Sequence, residues 1–509
     1  MTVRPIIPGF HPDPSICRVG DTYYLVCSSF EYAPGVPLYR STDLQTWEQI
    51  GHVLDRPSQL NVTGAVASGG IFAPTLRYHD GRFWMITTNM TDGQGHLLVT
   101  AEDPAGPWSE PVRIPGALGI DPDLAWDEDG TCLLTWAAFD PAGTGGISQA
   151  VLDPATGQLL SNRRLLWQGT GGKHPEGPHL YRIGDIWYLL IAEGGTERGH
   201  AVTIARSSSP SGPFEPCPDN PLITARGTDA PVQNTGHADL VQRADGGWAM
   251  VSLGTRPRGA SPEWHVLGRE TFAAEVTWHD GWPRVGEPIE PAAGSADLAV
   301  ERLQGSFLPQ SWVSPARFPE EVFRYEDDGW LLTAGSNDPA AEDLSFVGRR
   351  QEHLYARVDA TVAVTDCVGG LSVRMDARHH LDLELQGDRV RAVAQIGEIR
   401  SVLGEIAVQA GAECVLEVRM EPGRGSVFST VLGPDRVVAG VVAADGFVEL
   451  GHLDGRYLSS ELAGGFTGRM IGMFCSRGTL TIRSFEYRGA DDPELLPAGD
   501  HAQLLRVQK

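Results

Sequence analysis

Residues 9–26 read GFHPDPSICRVGDTYYLV. The last seven, Gly20–Val26, couple a Gly-Asp pair to a short aromatic and aliphatic run, which is the pattern of a hairpin turn and its return strand. The same unit stands at Asp80 (DGRFWMI), Asp129 (DGTCLLTW), Gly184 (GDIWYLLIA) and Asp245 (DGGWAMVS). A unit that returns five times at intervals of a few tens of residues, with little helical periodicity between, predicts a five-bladed β-propeller.

In a propeller the strand before each such hairpin runs near the axis, so residues at one offset from the turn converge. Asp13 lies seven residues before its turn, and Phe72, Asp121, Glu176 and His237 each lie eight before theirs. Three carboxylates, an aromatic and a histidine are thereby expected at one mouth. Acidic residues also cap turns on any β protein, but three at a matched offset favour a site. Asp13 stands between Pro12 and Pro14, which push the residues before them out of the helical region, so its backbone is expected to be extended.

The stretches GFHPDPSICRVGDTYYLV, GGIFAPTLRY, GIDPDLAW, EGPHLY, GHADLV and LGRETF resemble glycoside hydrolase family 43, the five-bladed-propeller glycosidases that include β-xylosidases and α-L-arabinofuranosidases. The resemblance implies an inverting hydrolase with Asp13 as general base, Asp121 as the carboxylate that orients the acid and modulates its pKa, and Glu176 as general acid. It implies substrate contacts from Phe30, Phe72 and Arg269, and places His237 at the axial channel near bound water or a calcium ion. Phe72 and Ile120 stand where β-xylosidases of the family commonly carry aromatics, Trp in the first case, so the sugar preference is open.

The chemistry asks for the same set. Inversion needs a carboxylic acid on the leaving oxygen and a carboxylate activating water across the sugar, roughly 6.5–9.5 Å apart. Opposed blades supply that gap, and a third acid near Glu176 would raise its pKa by like charge. Asp123, two residues beyond Asp121, is expected on the opposite strand face and outside the site. His174 and His179 are read as solvated or structural. Gly169–His174 (GTGGKH) lacks phosphate-loop spacing and is read as a plain loop.

The chain has 509 residues, long enough for two cores. Its net charge of −25 excludes nucleic acid and anionic membrane as partners and suits a small neutral oligosaccharide. Homo-oligomerisation is left open. Seven cysteines without CxxC spacing predict buried thiols. The beginning, MTVRPIIPGF, has no apolar core of signal-peptide length, and a cytoplasmic protein is expected.

The propeller pattern ends after Trp282, and Gly286–Ala299 is rich in Pro, Gly and Ala. The expected division is 1–290 propeller, 291–301 linker and 302–509 a β-sandwich of the concanavalin-like type. The resemblance implies that a loop of this domain closes one side of the pocket, and Phe466, in GGFTGRMIG, is the candidate for it. The reading is an inverting exo-glycoside hydrolase releasing terminal β-D-xylose from xylo-oligosaccharides. The alternatives are an α-L-arabinofuranosidase acting on arabinoxylan or arabinan fragments, and a non-catalytic sugar-binding propeller. No cofactor is required on this reading, with a structural Ca2+ in the propeller channel as an option.

Overall fold

The computed structural model describes residues 3–139, 145–292, 298–335, 344–423 and 433–496. Part of the expected linker, 293–297, lies outside the described residues. Contacts divide the chain into two units, one of residues 1–256 and 269–292 and one of 257–268 and 293–509. Both are built almost wholly of antiparallel strands.

Among the described residues the first unit holds five antiparallel sheets of four or five strands. Each of the five turn pairs joins the first strand of a sheet to its second: Ser15–Val19 to Thr22–Val26, Thr75–His79 to Arg82–Thr88, Gly119–Trp126 to Cys132–Ala138, Glu176–Ile183 to Ile186–Glu193, and Gln233–Gln242 to Trp248–Thr255. The first strands neighbour one another in a closed cycle, with Ser15–Val19 lying beside both Thr75–His79 and Gln233–Gln242. This is a β-propeller arrangement, and it brings the residues before each turn around one axis.

The core lies between neighbouring sheets. Leu98 and Ile86 pack with Leu124 and Leu134, Leu133 with Leu180 and Leu189, and Leu190 with Leu240. Each such side chain contributes about 1.5–3 kcal/mol on burial. The ring is joined at the N-terminus, where Ile6 and Ile7 bond to Thr271 and share a core with Ile16, Leu25 and Val251.

The second unit is a β-sandwich. Its six-stranded sheet runs from Ser345–Arg350 to Ile399–Ala407, and its eight-stranded sheet centres on Tyr355–Ala363 and Thr479–Ala490. Inward positions alternate along each strand, so Val358, Ala360, Leu416 and Val418 meet Leu371, Val373, Leu381 and Leu383 in one core. Residues 257–268, which leave the propeller between Trp248–Thr255 and Glu270–His279, are held within this unit: the Arg469 N–H donates to Val266 O at 2.9 Å, and Glu461 accepts from the His265 N–H at 2.9 Å. All seven cysteines are buried and none is in a disulfide. Among the described residues no helix is long and apolar enough to cross a membrane.

Candidate active site

Asp13, Asp121 and His237 share a backbone feature that the sequence reading did not anticipate. Their φ angles are +57°, +54° and +45°, in the left-handed region, and Asp13 is therefore not extended. A proline after Asp13 disfavours the right-handed helical region and leaves this one accessible. The inner strands of Asp121, Glu176 and His237 each shift register at the functional residue, between Ile120 and Asp123, between Glu176 and His179, and between Gly236 and Asp239. These bulges turn side chains toward the axis, and left-handed non-glycine residues concentrate at such sites.

Asp13 is gripped from three sides. The Ser28 hydroxyl donates to Oδ2 at 2.5 Å, Arg269 Nη1 donates to Oδ1 at 3.1 Å, and His237 Nδ1 lies 3.5 Å from Oδ1. Arg269 Nη1 also donates to Thr196 Oγ1 at 2.9 Å. Burial works to raise the Asp13 pKa, but Arg269, His237 and the Ser28 hydrogen bond outweigh it and hold the carboxyl below its usual value. Burial pushes the imidazole of His237 down to about 4, so the ring is neutral near pH 7.

Glu176 is driven the other way. Burial and then the charge of Asp13 raise it to about 7, with Arg269 opposing and Glu197 adding to the rise. Burial pushes Asp121 well above the carboxylate range, and the charges of Glu176 and Asp13 add to this against the N–H of Gly177. The two titrate as a pair. Beyond the third acid near Glu176 that the sequence reading expects, Asp13 and Glu197 raise it against Arg269, and the charge of Glu176 in turn raises Asp121.

Phe30 is buried and meets Phe72 edge-on, with ring centroids 5.8 Å apart, and the Arg269 guanidinium lies 5.8 Å from the Phe30 ring. Phe72 and Ile120 are half-buried. The fold thus gathers Asp13, Asp121, Glu176, His237, Arg269, Phe30 and Phe72. Phe466 is a half-buried bend residue of the second unit.

Sequence reasoning missed the floor of the site. Arg77 donates to Asp123 Oδ1 at 2.7 Å and to Asp239 Oδ2 at 2.9 Å, and its Nη2 lies 2.8 Å from His179 Nδ1. Asp239 also accepts from the Ser15 hydroxyl, from the Ile16 N–H and from Tyr181. The Leu180 N–H donates to Asp123 Oδ2 at 2.8 Å. Arg77, partly buried, so joins its own first strand to those of Asp123, His179 and Asp239, and Ser15 brings in the fifth through Asp239. Asp123 is fully buried against Arg77, and the expectation of an opposite face was mistaken, because residues two apart on a strand share a face. A signal was present: Ser15, Asp123 and Asp239 each stand two residues beyond a residue of the site.

Beside His237 the side chains offer a calcium ion few oxygen ligands of their own. Calcium takes about 6–8 oxygen ligands, whereas His237 offers a neutral imidazole and the adjacent carboxylates are engaged by Arg77 and Arg269. Among the described residues no three His, Cys, Asp or Glu side chains gather as a metal site.

A carboxyl kept protonated and a carboxylate kept ionised, facing one axis from different sheets, are the equipment of a glycoside hydrolase. The chain belongs to glycosyl hydrolases family 43, whose model matches residues 2–283, and a model for the beta-xylosidase C-terminal concanavalin A-like domain matches 304–485. It is 40% identical over 498 residues to the Bacteroides ovatus protein named non-reducing end alpha-L-arabinofuranosidase BoGH43B, covering 93% of this chain and 91% of that one. It is 41% identical over 374 residues to a Bacillus subtilis beta-xylosidase, covering 69% and 67%. Among solved structures, xylan beta-1,4-xylosidase from Bacillus halodurans superposes with a TM-score of 0.83 at 29% identity, covering 96% of this chain and all of that one.

Proposed function

We propose that the protein is an inverting exo-glycosidase that releases terminal β-D-xylose from xylo-oligosaccharides, with Glu176 as general acid, Asp13 as general base and Asp121 orienting the acid. The observation that carries this is the opposed ionisation of Glu176, raised to about 7, and Asp13, held low. Glu176 gives its proton to the glycosidic oxygen as the bond to the anomeric carbon breaks. Asp13 takes a proton from the water attacking the opposite face, so the configuration inverts. Arg269 and Ser28 keep Asp13 ionised and aimed, and the pair completes the reaction with no cofactor.

The same proposal reads the five sheets as five blades and sets the catalytic domain at 1–290 and the sandwich at 302–509. The closed cycle of first strands supports the blade count. It also places the protein in the cytoplasm, where seven cysteines without a disulfide suit a reducing medium. A second reading, α-L-arabinofuranosidase, is favoured by the name of the Bacteroides ovatus relative and by Phe72 at a position commonly Trp in β-xylosidases.

Leaving-group dependence tests the roles. Glu176→Ala should lose about 10²–10⁴-fold in kcat on xylobiose and far less on an aryl xyloside with an activated leaving group, because only the former needs protonation. Asp13→Ala should lose both alike, and equal losses for Glu176→Ala would remove it from the acid role. Proton NMR of the first product from a β-xyloside should show the α-anomer; the β-anomer would refute inversion.

A further inference from the structure

We propose that Glu193 is a positioning residue for Glu176, acting through the loop Gly169–Pro175 that delivers the acid to the pocket; this rests on the acid role given to Glu176 above. Glu193 ends the strand Ile186–Glu193 and is 2% exposed. Its carboxylate is spent on one loop. The Thr170 N–H donates to Oε1 and Oε2 at 3.1 and 3.0 Å, the Thr170 hydroxyl donates to Oε1 at 2.5 Å, and the Gly172 N–H donates to Oε2 at 2.9 Å. The next residue on the strand side, Gly194, donates its N–H to Lys173 O at 2.7 Å.

The segment GTGGKH, read from the sequence as a plain loop, is in the structure a loop closed around an anion. Consecutive N–H groups form a nest for negative charge, and here the chain fills it with its own carboxylate. The glycines allow the approach, since a Cβ on Gly169 or Gly172 would stand 2.6 or 2.8 Å from Glu193 Oε2. Thr170, Gly171, Lys173 and His174 are exposed, so the loop has little apolar packing of its own and is held from beneath by Glu193.

From the nest the chain runs directly into Glu176, whose backbone pairs with Ala192, the neighbour of Glu193. The acid is therefore fixed on one side by the sheet and on the other by a loop tied to the next residue of the same strand. Loss of that tie leaves Glu176 in the pocket and loosens its aim at the leaving oxygen, and small misplacements of a catalytic group are costly in rate.

The test is Glu193→Gln, which keeps size but turns an amide donor toward the loop N–H groups. On xylobiose kcat should fall at least about tenfold, on an activated aryl β-D-xyloside less than about threefold, with KM little changed, because only the first reaction leans on the acid. Thr170→Val, which removes one hydroxyl donor, should show the same split at smaller size. Glu176→Ala is run beside them. If Glu176→Ala splits the two substrates and Glu193→Gln does not, whether it loses both equally or loses nothing, the positioning role is overturned and the acid role stands. If Glu176→Ala shows no split, the acid role falls and the proposal with it.

Discussion

The backbone N–H of Gly177 donates to Oδ2 of Asp121 at 3.0 Å, so the carboxyl on one sheet is bonded to the residue immediately after Glu176 on the next. This gives Asp121 a physical means of orienting the acid. Asp121→Ala should lower kcat about a hundredfold, the scale of a small misplacement, while leaving a buried N–H unpaired. Asp121→Asn keeps an acceptor for Gly177 and should retain more activity. An Asn variant as impaired as Ala would assign the contribution of Asp121 to its proton and not to this bond. Gly177→Ala should also fail, since φ is +54° there and a Cβ would stand 2.8 Å from His237 Nε2.

The pH profile follows from the two opposed shifts. Glu176 must be protonated, so kcat/KM should fall as pH rises through about 7. Asp13 must be ionised and its pKa is lowered, so the acid limb should lie below the ordinary carboxylate range. Because Glu197 helps raise Glu176, Glu197→Gln should move the upper limb to lower pH, and added salt should shrink the difference between the two proteins. An upper limb that moves upward would remove Glu197 from the electrostatics of the acid. Stability carries the same signature. Between the ordinary value of 4.5 and about 7 the folded chain keeps a proton on Glu176 that the unfolded chain has released, so this group's contribution declines as pH rises across that window.

The floor of the site makes a prediction about stability. Arg77→Met would leave Asp123 and Asp239 buried without their cation, and removing one partner of a buried ion pair costs about 3–5 kcal/mol. Arg40→Met, at an exposed pair with Glu48, should cost no more than about 1 kcal/mol. Denaturant unfolding of the two variants measures the contrast, and similar losses would show that Arg77 does not hold the ring.

What the sequence revealed and what it hid have physical reasons. The five turns were legible because Gly-Asp and Asp-Gly pairs mark hairpins locally, and the shared offset from them located Asp13, Phe72, Asp121, Glu176 and His237 without any contact information. The left-handed backbone at Asp13 was not legible, since two flanking prolines argue for extension and only the closing of the ring selects the other region. Asp123 was misplaced because the period of two was misapplied: residues two apart share a strand face, so Asp123 was legible as a companion of Asp121. Glu193 gave no sign, because its partners lie 21 and 23 residues away in a loop with no strand pattern. The transfer of residues 257–268 to the second unit rests on long-range partners such as Asp435 for Arg258, which no local motif announces.

The remaining prediction concerns the sugar. A β-xylopyranoside and an α-L-arabinofuranoside present their glycosidic oxygen and reacting face similarly enough for one acid–base pair to serve both, whereas a hexose adds a hydroxymethyl group that a pentose pocket must accommodate. The apolar surface beside Arg269 comes from Phe30 and half-buried Phe72, whose rings meet edge-on, while Ile120 packs on the core between sheets. Such walls discriminate by only about 1–3 kcal/mol per methylene-sized difference, so the two pentoses should both be turned over. The expected order of kcat/KM is aryl β-D-xyloside somewhat above aryl α-L-arabinofuranoside, with aryl β-D-glucoside far below. Phe72→Trp, which enlarges the aromatic wall and adds an indole N–H, should widen the gap between the pentoses in favour of the xyloside. A preference for the arabinofuranoside of more than about a hundredfold, some 2.7 kcal/mol, would make that sugar the substrate and the xyloside the side activity.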